Sequence, residues 1–261
     1  MPAYLKFIHS KIMIFFLRMF MLCLLLPGHA DAKPNKKNQA LAMGEQRQIM
    51  VAVDHVLDAN KDFVKQHSKS YFLPFIKGQN PKATVLGCAD SRVHTHAIDP
   101  HPDGDLFLVR NIGNQIGPVR GSIEYGVRHL HTPLLLILGH TMCGAVRAAM
   151  QDYSDMSPDI KTELDHLHVP WGDPDNAILV LDSVEHNIND QVTEASQLFA
   201  DELNQRKLMI VGAVYDFRND YHLGYGRLVI INVNGAKDTA SIQKALGFSG
   251  KRPLKDVFTK K

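Results

Sequence analysis

Apolar residues recur at helical spacing through GEQRQIMVAVDHVLDANKDFVKQH, where Ile49, Val53, Val56, Leu57, Phe63 and Val64 share one face. That spacing predicts an amphipathic helix of about 20 residues. The pattern then changes to short, continuously apolar runs at Thr84–Leu86, Leu106–Val109, Leu134–Leu138 and Leu208–Val211. Strands buried on both faces read this way, and helical stretches separate most of the runs, so together they predict a parallel sheet. A fifth run, Arg227–Asn232, follows at hairpin distance across the turn at 219–226 and predicts an antiparallel edge strand. Further helices are expected over 122–131, from Gly144, and within 176–205, where Ile178, Leu181, Val184, Ile188 and Val192 mark one face. The predicted fold class is α/β: one domain with a central, mainly parallel sheet of four parallel strands plus the edge strand, flanked by helices. The stretch 152–174, with Pro158, Pro170 and Pro174, reads as a surface insert.

The amino terminus follows different rules. Lys6, Lys11 and Arg18 precede the apolar run Met19–Leu26, and Ala30-Asp31-Ala32 supplies a small-x-small cleavage pattern. The run is far shorter than the ~20 apolar residues of a membrane span. Residues 1–32 are therefore expected to be a signal peptide and 33–45 a linker, with the folded domain over 46–261 and no membrane association after cleavage. Removing the signal peptide takes away three basic side chains of 29 and one acidic side chain of 27, so the mature chain is formally neutral. A neutral chain with scattered Lys and Arg carries no electrostatic footprint for a phosphate backbone, which argues against nucleic acid and for a small-molecule ligand.

Export leaves two cysteines, Cys88 and Cys143, in a compartment where thiols form disulfides. Either they pair, or a metal holds both as thiolates. The first apolar strand runs into Gly87-Cys88-Ala89-Asp90-Ser91-Arg92, and the third into Gly139-His140-Thr141-Met142-Cys143-Gly144. Both motifs thus sit at carboxyl ends of parallel strands, the edge at which open α/β sheets bind ligands. Two thiolates and a neutral imidazole suit Zn²⁺, one per chain, with the fourth tetrahedral position open. Asp90 adds a hydrogen-bond acceptor beside that position, and Arg92 can hold it by a bidentate pair.

His-x-x-Cys alone is a weak pattern; combined with Cys-x-Asp-Ser-Arg after a strand it is specific. The pair resembles the zinc motif of the β-class carbonic anhydrases. The likeness covers roughly residues 70–235, including GDLFLVRN at 104–111, GSIEY at 121–125, LGHTMCGAV at 138–146 and VYD at 214–216. It implies reversible hydration of carbon dioxide to bicarbonate, with Cys88, His140 and Cys143 as zinc ligands and Asp90 and Arg92 as the catalytic dyad. It also implies that Gln79 approaches substrate, that Phe107, Ile112 and Tyr125 line a small apolar pocket, partly from a partner subunit, and that Gly144 borders the site. A homodimer or tetramer follows by the same likeness, with the amino-terminal helix packing on a partner. Because two thiolates and an imidazole leave Zn²⁺ formally neutral, the site should acidify water less than an all-histidine site, and activity should rise above neutral pH.

In the bicarbonate-regulated members of that family a Trp stands three positions before the first zinc cysteine; Val85 stands there here, although Arg110 and Tyr215 match the remaining regulatory positions. An open site without a bicarbonate lock is therefore expected. His94 and His96 read as loop residues, imidazole being the side-chain type suited to carry protons. The alternatives are hydrolysis of carbon disulfide or carbonyl sulfide on the same zinc site, and a non-catalytic exported protein that holds zinc or a Cys88–Cys143 disulfide. With the signal peptide, the leading reading places the enzyme in a bacterial periplasm.

Overall fold

The computed structural model describes residues 36–247, with side chains from Met43 onward; the signal-peptide expectation lies outside the described residues. The chain divides after Phe72 into two compact units. The first holds α1 (Lys36–Gln66) and the single turn α2 (Lys69–Phe72). α1 is 31 residues long, so residues 36–45 of the stretch read as a linker are helical. Its predicted face, from Ile49 through Val64, is exposed.

The second unit carries a five-stranded sheet of β1 (Ala83–Cys88), β2 (Leu106–Asn111), β3 (Leu134–His140), β4 (Met209–Asp216) and β5 (Arg227–Val233). The spatial order is β2-β1-β3-β4-β5. Every pairing is parallel except β4 with β5, as the apolar runs and the hairpin spacing predict. β1 and β3 are covered on both faces, which is why their sequences do not alternate.

Between the strands lie α3 (Arg120–Glu124), α4 (Gly144–Ala149), α5 (Pro158–Leu164), α6 (Ala177–Leu198) and α7 (Ala200–Asn204), with α8 (Thr239–Ala245) after β5. The helix expected over 122–131 is only partly α-helical: α3 passes into a π-helical turn at Tyr125–His129. The insert is more than surface elaboration, because α5 forms within it and Leu164 and Leu167 bury against Ala149.

α6 begins at Asn176, whose side chain caps the Ile178 and Leu179 amides. Its buried stripe is Val180, Ser183, Val184, Asn187, Ile188, Gln191, Val192 and Ala195, while Ile178 of the predicted face is exposed. The difference arises because two amides, Asn187 and Gln191, belong to the buried face. The helix approaches the sheet closely over two glycines. A Cβ on Gly139 of β3 would lie 2.6 Å from Ile188 Cδ1, and one on Gly212 of β4 would lie 2.7 Å from Ile188 Cγ2. The sheet's carboxyl edge is thereby fixed against α6, and that edge carries both cysteine motifs.

Candidate metal centre

β1 and β3 run side by side, so their last residues, Cys88 and His140, emerge together. Met142, at φ 51°, turns the chain sharply enough for Cys143 to stand at the N-cap of α4. Both cysteines are free thiols, with Sγ atoms 3.9 Å apart. This exceeds the roughly 2.05 Å of a disulfide and matches the roughly 3.8 Å edge of a zinc tetrahedron with ~2.3 Å Zn–S bonds. The His140 nitrogen joins them, the three ligand atoms all lying within 4.8 Å of one another in a buried cluster.

The imidazole reports the fit to a metal directly. His140 Nδ1 lies 3.0 Å from the Thr141 carbonyl oxygen, which can only accept, so Nδ1 carries the proton. Nε2 is then a bare lone pair, buried and without a hydrogen-bond partner. Leaving such an acceptor unpaired costs about 1–3 kcal/mol, and a cation held by the two sulfurs removes that cost.

Between the sulfurs one proton is held. The Cys143 hydrogen bond lowers the Cys88 thiol to about 4, helped by the Gly113 N–H and opposed by burial. The same hydrogen bond, burial and the Cys88 thiolate push Cys143 well up. Metal uptake must therefore expel the Cys143 proton, and affinity must rise with pH. Zinc affinity, corrected for the chelator's own protonation, is expected to rise with pH by up to about tenfold per unit as one proton is released per ion; a flat dependence would mean that both sulfurs are already ionised.

Asp90 stands beside this cluster, its Oδ2 3.7 Å from His140 Nε2. Arg92 grips it in the bidentate manner the motif suggests, Nε donating to Oδ1 at 2.9 Å and a terminal nitrogen to Oδ2 at 2.7 Å, while the Arg92 amide donates to Oδ1 at 2.9 Å. The guanidinium pair, aided by the amide, holds the Asp90 carboxyl far below the usual carboxylate range. Arg92 also lies 4.8 Å from the centre of the Phe217 ring, which stacks on His140 with centroids 6.0 Å apart. Substituting Arg92→Lys keeps the charge but removes the fork. Activity is expected to fall about 10–100-fold with metal content retained; an unchanged rate would deny the fork any part in it.

Among the described residues Arg110 has no ion-pair partner. It donates to the Cys88 carbonyl at 2.8 Å and the Asp90 carbonyl at 2.7 Å, bracing the backbone of the Cys88–Arg92 loop. Val85 is buried in β1 and Tyr215 in β4. Val85, Leu108, Arg110 and Leu138 border a small crevice that also touches Val93 and Ile98.

The remaining predicted residues separate. Phe107 and Tyr125 meet, with ring centroids 5.8 Å apart. Ile112 packs against Ala149, Leu164 and Leu167. Gly144 is exposed, and a Cβ there would meet nothing within 4 Å. Gln79 is exposed on the segment leading into β1, and His94 and His96 are exposed after Val93. Phe217 and the Gly113 amide, which points at Cys88 Sγ from 3.5 Å, were missed by motif reading. Phe217 directly follows the VYD motif, the only hint of it; a backbone amide leaves no mark in sequence.

A mainly parallel α/β sheet with a buried Cys-His-Cys cluster at its carboxyl edge defines an open-sheet protein with a group that could hold a metal. The carbonic anhydrase family model matches residues 83–222, just over half of the chain. The chain belongs to the β-class carbonic anhydrase family. Carbonic anhydrase 2 of Mycobacterium tuberculosis is 49% identical over 79 residues, a match spanning 30% of this chain and 38% of that protein. β-Carbonic anhydrase 3 of Arabidopsis thaliana is 28% identical over 198 residues, covering 62% and 76% of the two chains. Among solved structures, the β-carbonic anhydrase CafA of Aspergillus fumigatus is 25% identical with a TM-score of 0.59, covering 75% of this chain and 97% of that one. A tetrameric β-carbonic anhydrase of Sordaria macrospora matches the fold with a TM-score of 0.58 at 23% identity, covering 69% of this chain and 97% of that one.

Proposed function

We propose that the protein is a zinc enzyme that interconverts carbon dioxide and bicarbonate. The observation that carries this is the buried, unpartnered Nε2 of His140 beside two free cysteine sulfurs, with the clamped Asp90 carboxylate 3.7 Å away. Cys88, His140 and Cys143 would hold the ion. Bound zinc supplies a Lewis acid that lowers the pKa of a coordinated water.

The chain's own residues do the rest. Asp90, kept ionised by Arg92, can only accept a hydrogen bond, so it fixes the proton of an attacking oxygen and leaves a lone pair free for carbon. Arg110 holds the two carbonyls that set the direction of the Asp90 loop. The Phe107–Tyr125 pair stands beside Thr84, four residues along β1 from Cys88, so by family likeness it would offer the site of a partner subunit the apolar surface that a small, linear, nonpolar substrate needs. Gln79, Ile112 and Gly144 are assigned to substrate by family likeness.

The same reading makes the protein a homodimer or tetramer. The exposed apolar stripe of α1, from Ile49 to Val64, supports this, since such a face is ordinarily buried on a partner. It also makes the protein a periplasmic one, exported through residues 1–32 with Lys33 as its new amino terminus; the basic-apolar-small pattern is the support. Stopped-flow assay of one preparation against carbon dioxide, carbonyl sulfide and carbon disulfide tests the activity. Carbon dioxide hydration that dominates is the expected result; hydrolysis of a sulfur analogue without it would overturn the assignment.

A further inference from the structure

α6 buries two amides where packing alone would call for aliphatic side chains. Asn187 and Gln191 lie one turn apart, 2% and 5% exposed, among Val184, Ile188 and Val192. Burying such groups is unfavourable unless each finds a partner. Their partners beyond α6 lie in one loop, residues 111–116. Asn187 Nδ2 donates to the Gly113 carbonyl at 2.8 Å, and Gln191 Oε1 accepts from the Ile116 amide at 2.8 Å. Gln191 Nε2 in turn donates to Asn187 Oδ1 at 3.4 Å.

The loop is also closed on itself. Asn111 accepts from the Gln115 amide and donates to the Gln115 carbonyl, both at 2.8 Å, and Gln115 Nε2 donates to the Ile112 carbonyl at 2.7 Å. Its start is tied to the metal loop, since the Ala89 amide donates to the Asn111 carbonyl at 2.8 Å. At its centre Gly113 has φ +80°, in the left-handed region, and a Cβ there would press on Leu167 at 3.1 Å. This arrangement leaves the Gly113 N–H donating to Cys88 Sγ at 3.5 Å. The Gly113 carbonyl gripped by Asn187 and the Gly113 amide aimed at sulfur lie on adjacent peptide planes joined at one Cα, and the plane that carries the N–H is held at the Ile112 carbonyl by Gln115, so the helix and the closed loop together set the direction of the donor.

We infer that Asn187 and Gln191 are positioning residues that tune the metal through Cys88, by holding the Gly113 N–H on its sulfur. The inference rests on the metal-site reading above. A hydrogen bond to a thiolate draws electron density away from the metal–sulfur bond, which makes the ion a stronger Lewis acid. A site whose two thiolates and imidazole cancel the ion's charge has particular use for such a correction. Neither side chain reaches the reacting atoms; both act through the loop.

Cobalt-substituted protein supplies the test, because its sulfur-to-cobalt charge-transfer band reads the sulfur directly. Removing the hydrogen bond raises the energy of the sulfur lone pair and moves that band to longer wavelength. Asn187→Leu is expected to show this shift, with hydration by the zinc form slowed about tenfold. Gln191→Met, which frees the other end of the loop, is expected to do the same and serves if Asn187→Leu does not fold. Val192→Ala, buried on the same helix face, is expected to lower Tm and leave the band in place. Unchanged bands in Asn187→Leu and Gln191→Met, or an equal shift in Val192→Ala, would overturn the inference. A wild-type protein with no sulfur-to-cobalt band would instead overturn the metal-site reading, and the inference with it.

Discussion

Replacing Cys143 with serine is expected to empty the metal site and lower carbon dioxide hydration by more than about 100-fold, the upper end of what losing an outer-shell partner costs. A serine hydroxyl does not ionise near neutral pH and is a poor match for the soft sulfur position. Two protein ligands then remain, and His140 Nε2 is left without a partner. The fold is expected to survive. Cys143 stands at the N-cap of α4 without making a side-chain capping bond, and serine is nearly isosteric and a favourable cap. Zinc content, circular dichroism and hydration rate measured on one preparation separate loss of metal from loss of structure. A folded Cys143→Ser protein that kept its zinc and its rate would contradict the ligand assignment.

Gly126→Ala is expected to have the largest effect on stability of a single-methyl change. Gly126 lies in the π-helical turn after α3, and a Cβ there would stand 2.2 Å from Thr84 Oγ1 and 2.9 Å from the Phe107 ring. Thr84 is fully buried, and its hydroxyl is paired with Thr132 at 2.8 Å, while Thr132 donates to the Gly126 carbonyl at 3.1 Å. Thr84 cannot withdraw without breaking that buried hydrogen bond, and the Phe107 ring can move only at the cost of its packing on Tyr125. Overpacking and the lost bond outweigh the helix-propensity gain of alanine, for a net loss of about 2 kcal/mol. Urea denaturation checks this, with Gly144→Ala as the contrast. A Cβ on Gly144 meets nothing, so its stability should hold within about 0.5 kcal/mol, and any loss of activity there would come from the site. Equal stability of Gly126→Ala and wild type would show that the turn can relax.

The sheet and the metal cluster were legible because each leaves a local mark. Continuous apolar runs announce strands covered on both faces, and a cysteine or histidine at the end of such a run is placed by topology at the ligand-binding edge. The Asp90–Arg92 clamp was legible because both partners fall within one loop. What escaped depends on contacts across long sequence separations. Asn187 and Gln191 interrupt the apolar stripe of α6, but their partners stand 74 and 75 residues earlier. Ile178 keeps helical phase with the predicted face yet is exposed, because the two amides shift the buried stripe around the helix. The reach of α1 back to Lys36 escaped for the opposite reason: KKNQAL is polar enough to read as a linker, and hydrophobic period marks only the apolar part of a helix.

The central claim is that Cys88, His140 and Cys143 hold a catalytic zinc. Zinc content of the wild-type chain, measured alongside stopped-flow carbon dioxide hydration before and after chelator treatment, tests it most directly. One zinc per chain, with hydration lost on chelation and restored by added zinc, is the predicted result. A metal-free chain that hydrates carbon dioxide at full rate, or a zinc-loaded chain that does not hydrate it at all, would contradict the account.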